Sequence, residues 1–123
     1  FDLATLVPML DALHERLSGV VIECLPYAEF IQRYDRKTTL FYLDPPYWGG
    51  ESDYGKGLFE RANFQRLADQ FRTLSGSFVL SINDVPQIRE IFAEFKLQAV
   101  KTTYSVARKK SLGKQAGELI ITN

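Results

Sequence analysis

Asp44-Pro45-Pro46-Tyr47 sets a carboxylate, two prolines and a phenol ring directly after the apolar run Leu40-Phe41-Tyr42-Leu43. Asp44 can accept a hydrogen bond from an amino group. The Pro45 carbonyl can accept another, because proline keeps its acceptor while losing its donor. Tyr47 can stack on a flat ring. The prolines fix φ and stiffen the loop. Together these groups suit an exocyclic amine on a planar heterocycle. A plain strand-to-loop turn is the alternative, since Pro-Pro occurs in many turns. Against it, an acid directly after a buried strand costs desolvation free energy unless it finds a partner.

The elements that must hold these groups are legible from periodicity. Leu6, Val7, Leu10, Leu13 and Leu17 predict an amphipathic helix over 6–17, capped by Thr5, with Pro8 in its first turn and Ser18-Gly19 ending it in a left-handed turn. Val20-Val21-Ile22 reads as a short β-branched strand. A short helix is expected over 27–34, then a strand over 40–43 buried on both faces. Residues 48–60 hold four of the eight glycines and form a loop. A helix over 63–74 follows, with Phe64, Leu67, Ala68 and Phe71 on one face, then a strand over 78–82. Asp84 is placed to cap the next helix, with Gln87 at the capping-box position and Pro86 in the first turn. Val85, Ile88, Phe92 and Phe95 make its buried stripe, with Ile91 beside them. Strands over 97–106 and 118–122 close the chain as a hairpin around a basic loop, 107–117. The order αβαβαβαββ predicts one α/β domain over 1–123: a mostly parallel sheet with a final antiparallel hairpin strand and helices on both faces. Ligands of open parallel sheets bind beyond the strands' carboxyl ends, where both Asp44–Tyr47 and Ser81–Asp84 fall.

The chain resembles the Dam-like adenine-N6 DNA methyltransferases. Asp44-Pro45-Pro46-Tyr47 matches that family's DPPY motif, and the likeness extends through Ser81-Ile82-Asn83-Asp84 to Glu118-Leu119-Ile120-Ile121-Thr122-Asn123. The resemblance implies a Rossmann-like methyltransferase sheet, S-adenosylmethionine as cofactor, double-stranded DNA as partner and a role in DNA methylation of the restriction–modification kind. It implies Asp44, Pro45, Pro46 and Tyr47 as catalytic residues, with the target base flipped out of the duplex against Tyr47. Trp48, Tyr54, Asn83, Tyr104, Lys109 and Lys110 are further substrate-binding candidates, the lysines through phosphates. Phe59 is better explained by packing, and Asp84 by capping. Trp48 suits either packing or the site.

The departures from the pattern matter equally. The family's glycine-containing cofactor loop, of the Phe-x-Gly-x-Gly kind, and its acidic ribose ligand are not recognisable. Gly49-Gly50 and Gly55-x-Gly57 follow the DPPY strand and are in the wrong order to serve. The target-recognition helices have no room. The chain therefore looks like the carboxyl-terminal part of a methyltransferase, with a partial cofactor site at Asp44 alone. A homo-oligomer or a missing amino-terminal half is the implied partner that would cover the exposed sheet edge. An inactive truncated remnant, one half of a split enzyme and an N4-cytosine enzyme are the alternatives; a DNA-binding module without cofactor is another.

Composition narrows the rest. The 123 residues, 46% hydrophobic, suit one globular domain. Net charge is zero, which argues mildly against a pure nucleic-acid binder. Between Lys101 and Lys114, however, lie Lys101, Arg108, Lys109, Lys110 and Lys114 and no acid, a segment fit to meet phosphates or to be a solvated loop. Cys24 and His14 are the lone cysteine and histidine, so neither an intramolecular disulfide nor a cysteine-rich metal site is expected, and no metal ligand is assigned. No run is long enough to span a membrane, and a cytoplasmic protein is the simplest reading. The chain starts at Phe1 without Met, consistent with a cut terminus.

Overall fold

The structure is a computed structural model that describes residues 3–53, 55, 57–101 and 117–123. Its elements are α1 (Leu3–Leu17), α2 (Tyr27–Tyr34), β1 (Leu40–Leu43), α3 (Arg61–Arg72), β2 (Ser77–Asn83), α4 (Pro86–Ile91), β3 (Lys96–Lys101) and β4 (Gly117–Thr122). They build a mixed α/β fold around one four-stranded open sheet, in the order β1-β2-β4-β3. β1 and β2 pair in parallel, and β4 lies antiparallel between β2 and β3. Three strands thus share one direction and the last runs against them, as expected from the sequence.

The core lies on one face of this sheet. Alternation along the strands points Phe41, Phe78, Leu80, Ile82, Leu119 and Ile121 to the same side, all buried. The register joins them across strands: Phe41 faces Phe78, Leu80 faces Ile121, and Ile82 faces Leu119. Phe64, Leu67, Ala68 and Phe71 of α3 and Ile88 of α4 close over them, with Ile31 of α2. Phe71 stacks on Phe78 with ring centroids 3.8 Å apart, and Phe95 meets both edge-on.

Several expectations need correction. Helices do not cover both faces among the described residues: α2, α3 and α4 pack on the same one. β1 is not buried on both faces, since Leu40 is 65% and Tyr42 70% exposed. The run Val20-Val21-Ile22 is not a strand; it is irregular and exposed, for β-branching favours a strand only where a neighbouring strand offers pairing. α1 begins earlier than expected, so Thr5 lies inside it and Pro8 is interior rather than in the first turn. Gly19 is not among the positive-φ glycines; Ser18 closes the helix instead, its hydroxyl donating to the Glu15 carbonyl at 2.8 Å. The apolar stripe of α1 (Val7, Leu10, Leu13 and Leu17) is exposed rather than packed. Asp84 does not cap α4: the N-cap is Val85 without a side-chain bond, and the Asp84 carboxylate instead takes two hydrogen bonds from Arg89, at 2.6 and 2.7 Å. That guanidinium holds the Asp84 carboxyl below the usual carboxylate range. Residues 102–106 of the expected third strand and 107–116 of the basic loop lie outside the described residues.

The start of the β1–β2 pair is locked by backbone contacts. The Asp35 carboxylate accepts the N–H groups of Ser75 and Gly76 at 2.9–3.0 Å. The side chain of Asn123 accepts the Phe78 N–H and donates to the Gly76 carbonyl. At Gly76 a Cβ would sit 2.6 Å from the Thr39 carbonyl oxygen and 2.8 Å from that of Arg36. Gly76→Ala should therefore destabilise the fold by about 1–3 kcal/mol through overpacking, read as a lower midpoint in urea. The Ser75 N–H, foremost, keeps the Asp35 carboxyl below its ordinary range. A depressed carboxyl contributes stability above its unfolded-state value and loses it as pH falls through the folded one. Asp35→Asn should thus lower stability at neutral pH and flatten the fall of the urea midpoint below about pH 4.

Candidate active site at the strand ends

The register Leu43↔Leu80 brings β1 and β2 to the sheet's edge at neighbouring heights, so Asp44 and Ser81 follow side by side. Here a cavity of about 470 Å³ opens, lined by Tyr42, Asp44, Pro45, Pro46, Tyr47, Asp53, Ser81 and Glu118. It lies on the face opposite the helices, since Tyr42, Ser81 and Glu118 alternate with the core residues of their strands. Among the described residues the lining carries three carboxylates and no base. It suits groups that donate hydrogen bonds or carry positive charge.

The Asp44 carboxylate is exposed and takes no hydrogen bond among the described residues. Asp44 is therefore not desolvated after β1 as expected: exposure to water, not a buried partner, stabilises its carboxylate. The Pro45 carbonyl likewise accepts no backbone hydrogen bond among the described residues. Two acceptors thus stand open on successive residues, held by two prolines.

Beyond them the chain is tied down rather than open. The Tyr47 ring is partly buried and its hydroxyl donates a short hydrogen bond to Glu118 Oε1 on β4. The Trp48 N–H donates to Asn83 Oδ1 at 2.8 Å, and Asn83 Nδ2 donates to the Trp48 carbonyl at 3.1 Å. Asn83 and Glu118 face each other in the β2–β4 register, so one rung of the sheet holds two successive aromatic residues. The Trp48 ring lies 5.4 Å from Phe64, and the Arg61 guanidinium sits 5.1 Å over it. Arg61 in turn reaches Glu51, whose carboxylate also accepts the Gly49 N–H. Those backbone N–H groups, with Glu51's own first, hold its carboxyl below the ordinary range. Gly49 takes φ +93°, as the turn following Trp48 requires.

Of the residues singled out from sequence, Asp44, Pro45, Pro46 and Tyr47 line the cavity together. Asn83 is not among its described lining; its amide is engaged by the Trp48 backbone. Trp48 packs against Phe64 and Arg61 and does not line the cavity. Phe59 packs, as expected, 4.9 Å from Phe64 and 5.8 Å from Tyr27. Tyr54, Tyr104, Lys109 and Lys110 lie outside the described residues. Ser81 lines the cavity, as its place at the carboxyl end of β2 leads one to expect, whereas Glu118 and Asp53 were not foreseen there. Glu118 is the charged residue directly before the apolar run Leu119-Ile120-Ile121, which marks a strand end without indicating its partner.

The Asn83 bridge generates a test. Trp48 is the sole tryptophan, so its emission reports this loop alone. Asn83→Ala removes both hydrogen bonds; Trp48 emission should shift to the red and acrylamide quenching should rise, with stability falling by about 1–3 kcal/mol. Unchanged emission would mean that the Phe64 and Arg61 contacts hold the loop unaided.

No helix among the described residues is long and apolar enough to cross a membrane, and none of their acidic, His or Cys side chains cluster in threes fit for a metal ion. No curated protein matches the chain. The family model for D12 class N6 adenine-specific DNA methyltransferases matches residues 5–106, which takes in most of α1, everything from α2 to β3 and the whole Asp44–Tyr47 loop, and stops short of β4. The chain therefore belongs to the D12 class of N6 adenine-specific DNA methyltransferases, a family of methyl-transferring enzymes.

Proposed function

We propose that this chain carries the target-base half of an S-adenosylmethionine-dependent adenine-N6 DNA methyltransferase. The observation that bears most weight is the pair of open acceptors, the Asp44 carboxylate and the Pro45 carbonyl, beside the anchored ring of Tyr47. An adenine flipped from the duplex would stack on Tyr47 and donate its two N6 protons to those acceptors. These hydrogen bonds favour a more tetrahedral nitrogen and free its lone pair. As positive charge grows on nitrogen, the fixed Asp44 carboxylate stabilises it. The other carboxylates of the cavity, on Asp53 and Glu118, add to the same negative field. Holding the amine in one orientation contributes as well.

S-adenosylmethionine, when bound, supplies the electrophilic methyl group on a positively charged sulfur. The described residues fit it only in part. Asp44 and its neighbours offer a negative wall for that charge, but among the described residues no glycine turn stands between an earlier strand and a helix to receive the rest of the molecule. The positive-φ glycines, Gly49, Gly55 and Gly57, all follow β1. The cofactor's cradle is thus assigned to another polypeptide segment. The same assignment accounts for the bare edge of β1 and for the exposed stripe of α1: further strands of a Rossmann-like sheet, from an amino-terminal half or a second copy, would cover them.

The test places residues 40–53 in an active Dam-like methyltransferase in place of that enzyme's own strand and loop. The graft should transfer tritiated methyl to unmethylated DNA, and Asp44→Ala within it should lower the rate by about 10²–10³-fold. Turnover retained in the Asp44→Ala graft would overturn the role given to the carboxylate.

A further inference from the structure

The two prolines before Tyr47 restrict the backbone, but they leave the tyrosine side chain its χ1 and χ2. A stacking surface needs its ring held in place. In this chain the far end of the ring is fixed by a residue 71 positions away: the Tyr47 hydroxyl donates to the Glu118 carboxylate at the start of β4. A phenol donating to a carboxylate is a charge-assisted hydrogen bond, stronger and more directional than a neutral one. Glu118 is itself held. It faces Asn83 across the β2–β4 ladder, and one step further the Asp84 N–H donates to the Gly117 carbonyl at 2.8 Å. There is no slack at that step either, since a Cβ on Gly117 would lie 3.2 Å from the Asp84 Cβ. The rung is therefore stiff on both strands, and it grips the loop twice, at the Trp48 backbone through Asn83 and at the Tyr47 ring through Glu118.

We infer that Glu118 is a positioning residue, which holds the far end of the Tyr47 ring from the last strand and so prepares the ring to receive a base. Glu118 lies beyond the residues matched to the family, so this function is not part of that match. The inference rests on the reading of Tyr47 as the stacking surface. It gives β4 a task besides sheet completion: β4 carries the only described carboxylate that reaches the ring's hydroxyl.

The test uses the 123-residue chain, with Glu118→Ala, Glu118→Gln and Tyr47→Phe. Ring signals of ¹³C-labelled tyrosine, assigned by their loss in Tyr47→Phe, report ring order. Binding of deoxyadenosine monophosphate, followed by NMR titration, reports capture of the base. Glu118→Ala should average the Tyr47 ring signals and weaken nucleotide binding about fivefold or more, as loss of one charge-assisted hydrogen bond implies. Glu118→Gln, which keeps an acceptor, should restore most of both, and Tyr47→Phe combined with Glu118→Ala should bind no worse than the weaker single variant. Trp48 emission monitors folding; if the alanine variant does not fold, Tyr47→Phe, which removes the same hydrogen bond, should weaken nucleotide binding to the same extent, and unchanged binding there would overturn the inference. Unchanged ring signals in Glu118→Ala would overturn the inference, and so would averaged signals with unchanged nucleotide binding. If wild type fails to bind the nucleotide while Glu118→Ala still averages the ring, the stacking reading falls and control of the ring by Glu118 stands.

Discussion

Because Leu43 pairs with Leu80 in a parallel ladder, β1 and β2 deliver their carboxyl ends to the same edge, and the groups that follow each strand must meet there. An antiparallel pairing would send Asp44 and Ser81 to opposite ends of the sheet. The parallel pair depends in turn on contacts at its other end, where Gly76 lets two carbonyls approach and Asp35 and Asn123 satisfy the backbone. The site thus depends on an alignment set about 10 Å or more away, the length of a four-residue strand. It depends also on a core packed from one side, where Phe64, Phe71, Phe78 and Phe92 are almost wholly buried. The helices take that face and leave the other free for the polar cavity.

The loop after β1 and the rung that holds it divide their groups into free and engaged ones. Asp44 and the Pro45 carbonyl are free to accept; Tyr47, Trp48 and Asn83 are occupied with one another and with Glu118. This is a sensible division for a site whose chemistry needs little proton transfer. Acceptors must be available to the ligand, while the surfaces that orient it must not move. Glu51, Arg61 and Trp48 extend the same fixed arrangement along the loop, as a carboxylate, a guanidinium and a ring in sequence.

What could be read from the sequence was local. The bounds of α2 and β1 follow from a helical stripe and a short apolar run, and Asp44–Tyr47 is contiguous, so its place after β1 needed no tertiary information. The misreadings share a cause. Val20-Val21-Ile22 has strand propensity without a neighbour to pair with. Leu40 and Tyr42 are apolar on a face that nothing described covers, and a continuous apolar run cannot by itself tell a covered face from a bare one. Asp84 has a capping position, but Arg89 offers it a stronger bond than the backbone of α4 does. Glu118 was missed as a site residue because its partner lies 71 residues away, a distance at which no spacing rule applies.

The bare side of β1 bears on how the catalytic work is divided. β1 has β2 on one flank and no described strand on the other, and Tyr42 on that edge lines the cavity. On the reading proposed here, a parallel strand added along that flank would bring its own carboxyl end next to Asp44, as the β1–β2 ladder brings Ser81. Asp44 would then stand on the boundary between the half that holds the base and the half that holds the methyl donor. Acceptors for the amine can be built from one contiguous loop, and this chain has them. A cradle for the donor needs a second strand end beside the first. On the proposed reading, that requirement, rather than any defect in the Asp44–Tyr47 loop, would tie transfer to a partner strand along β1.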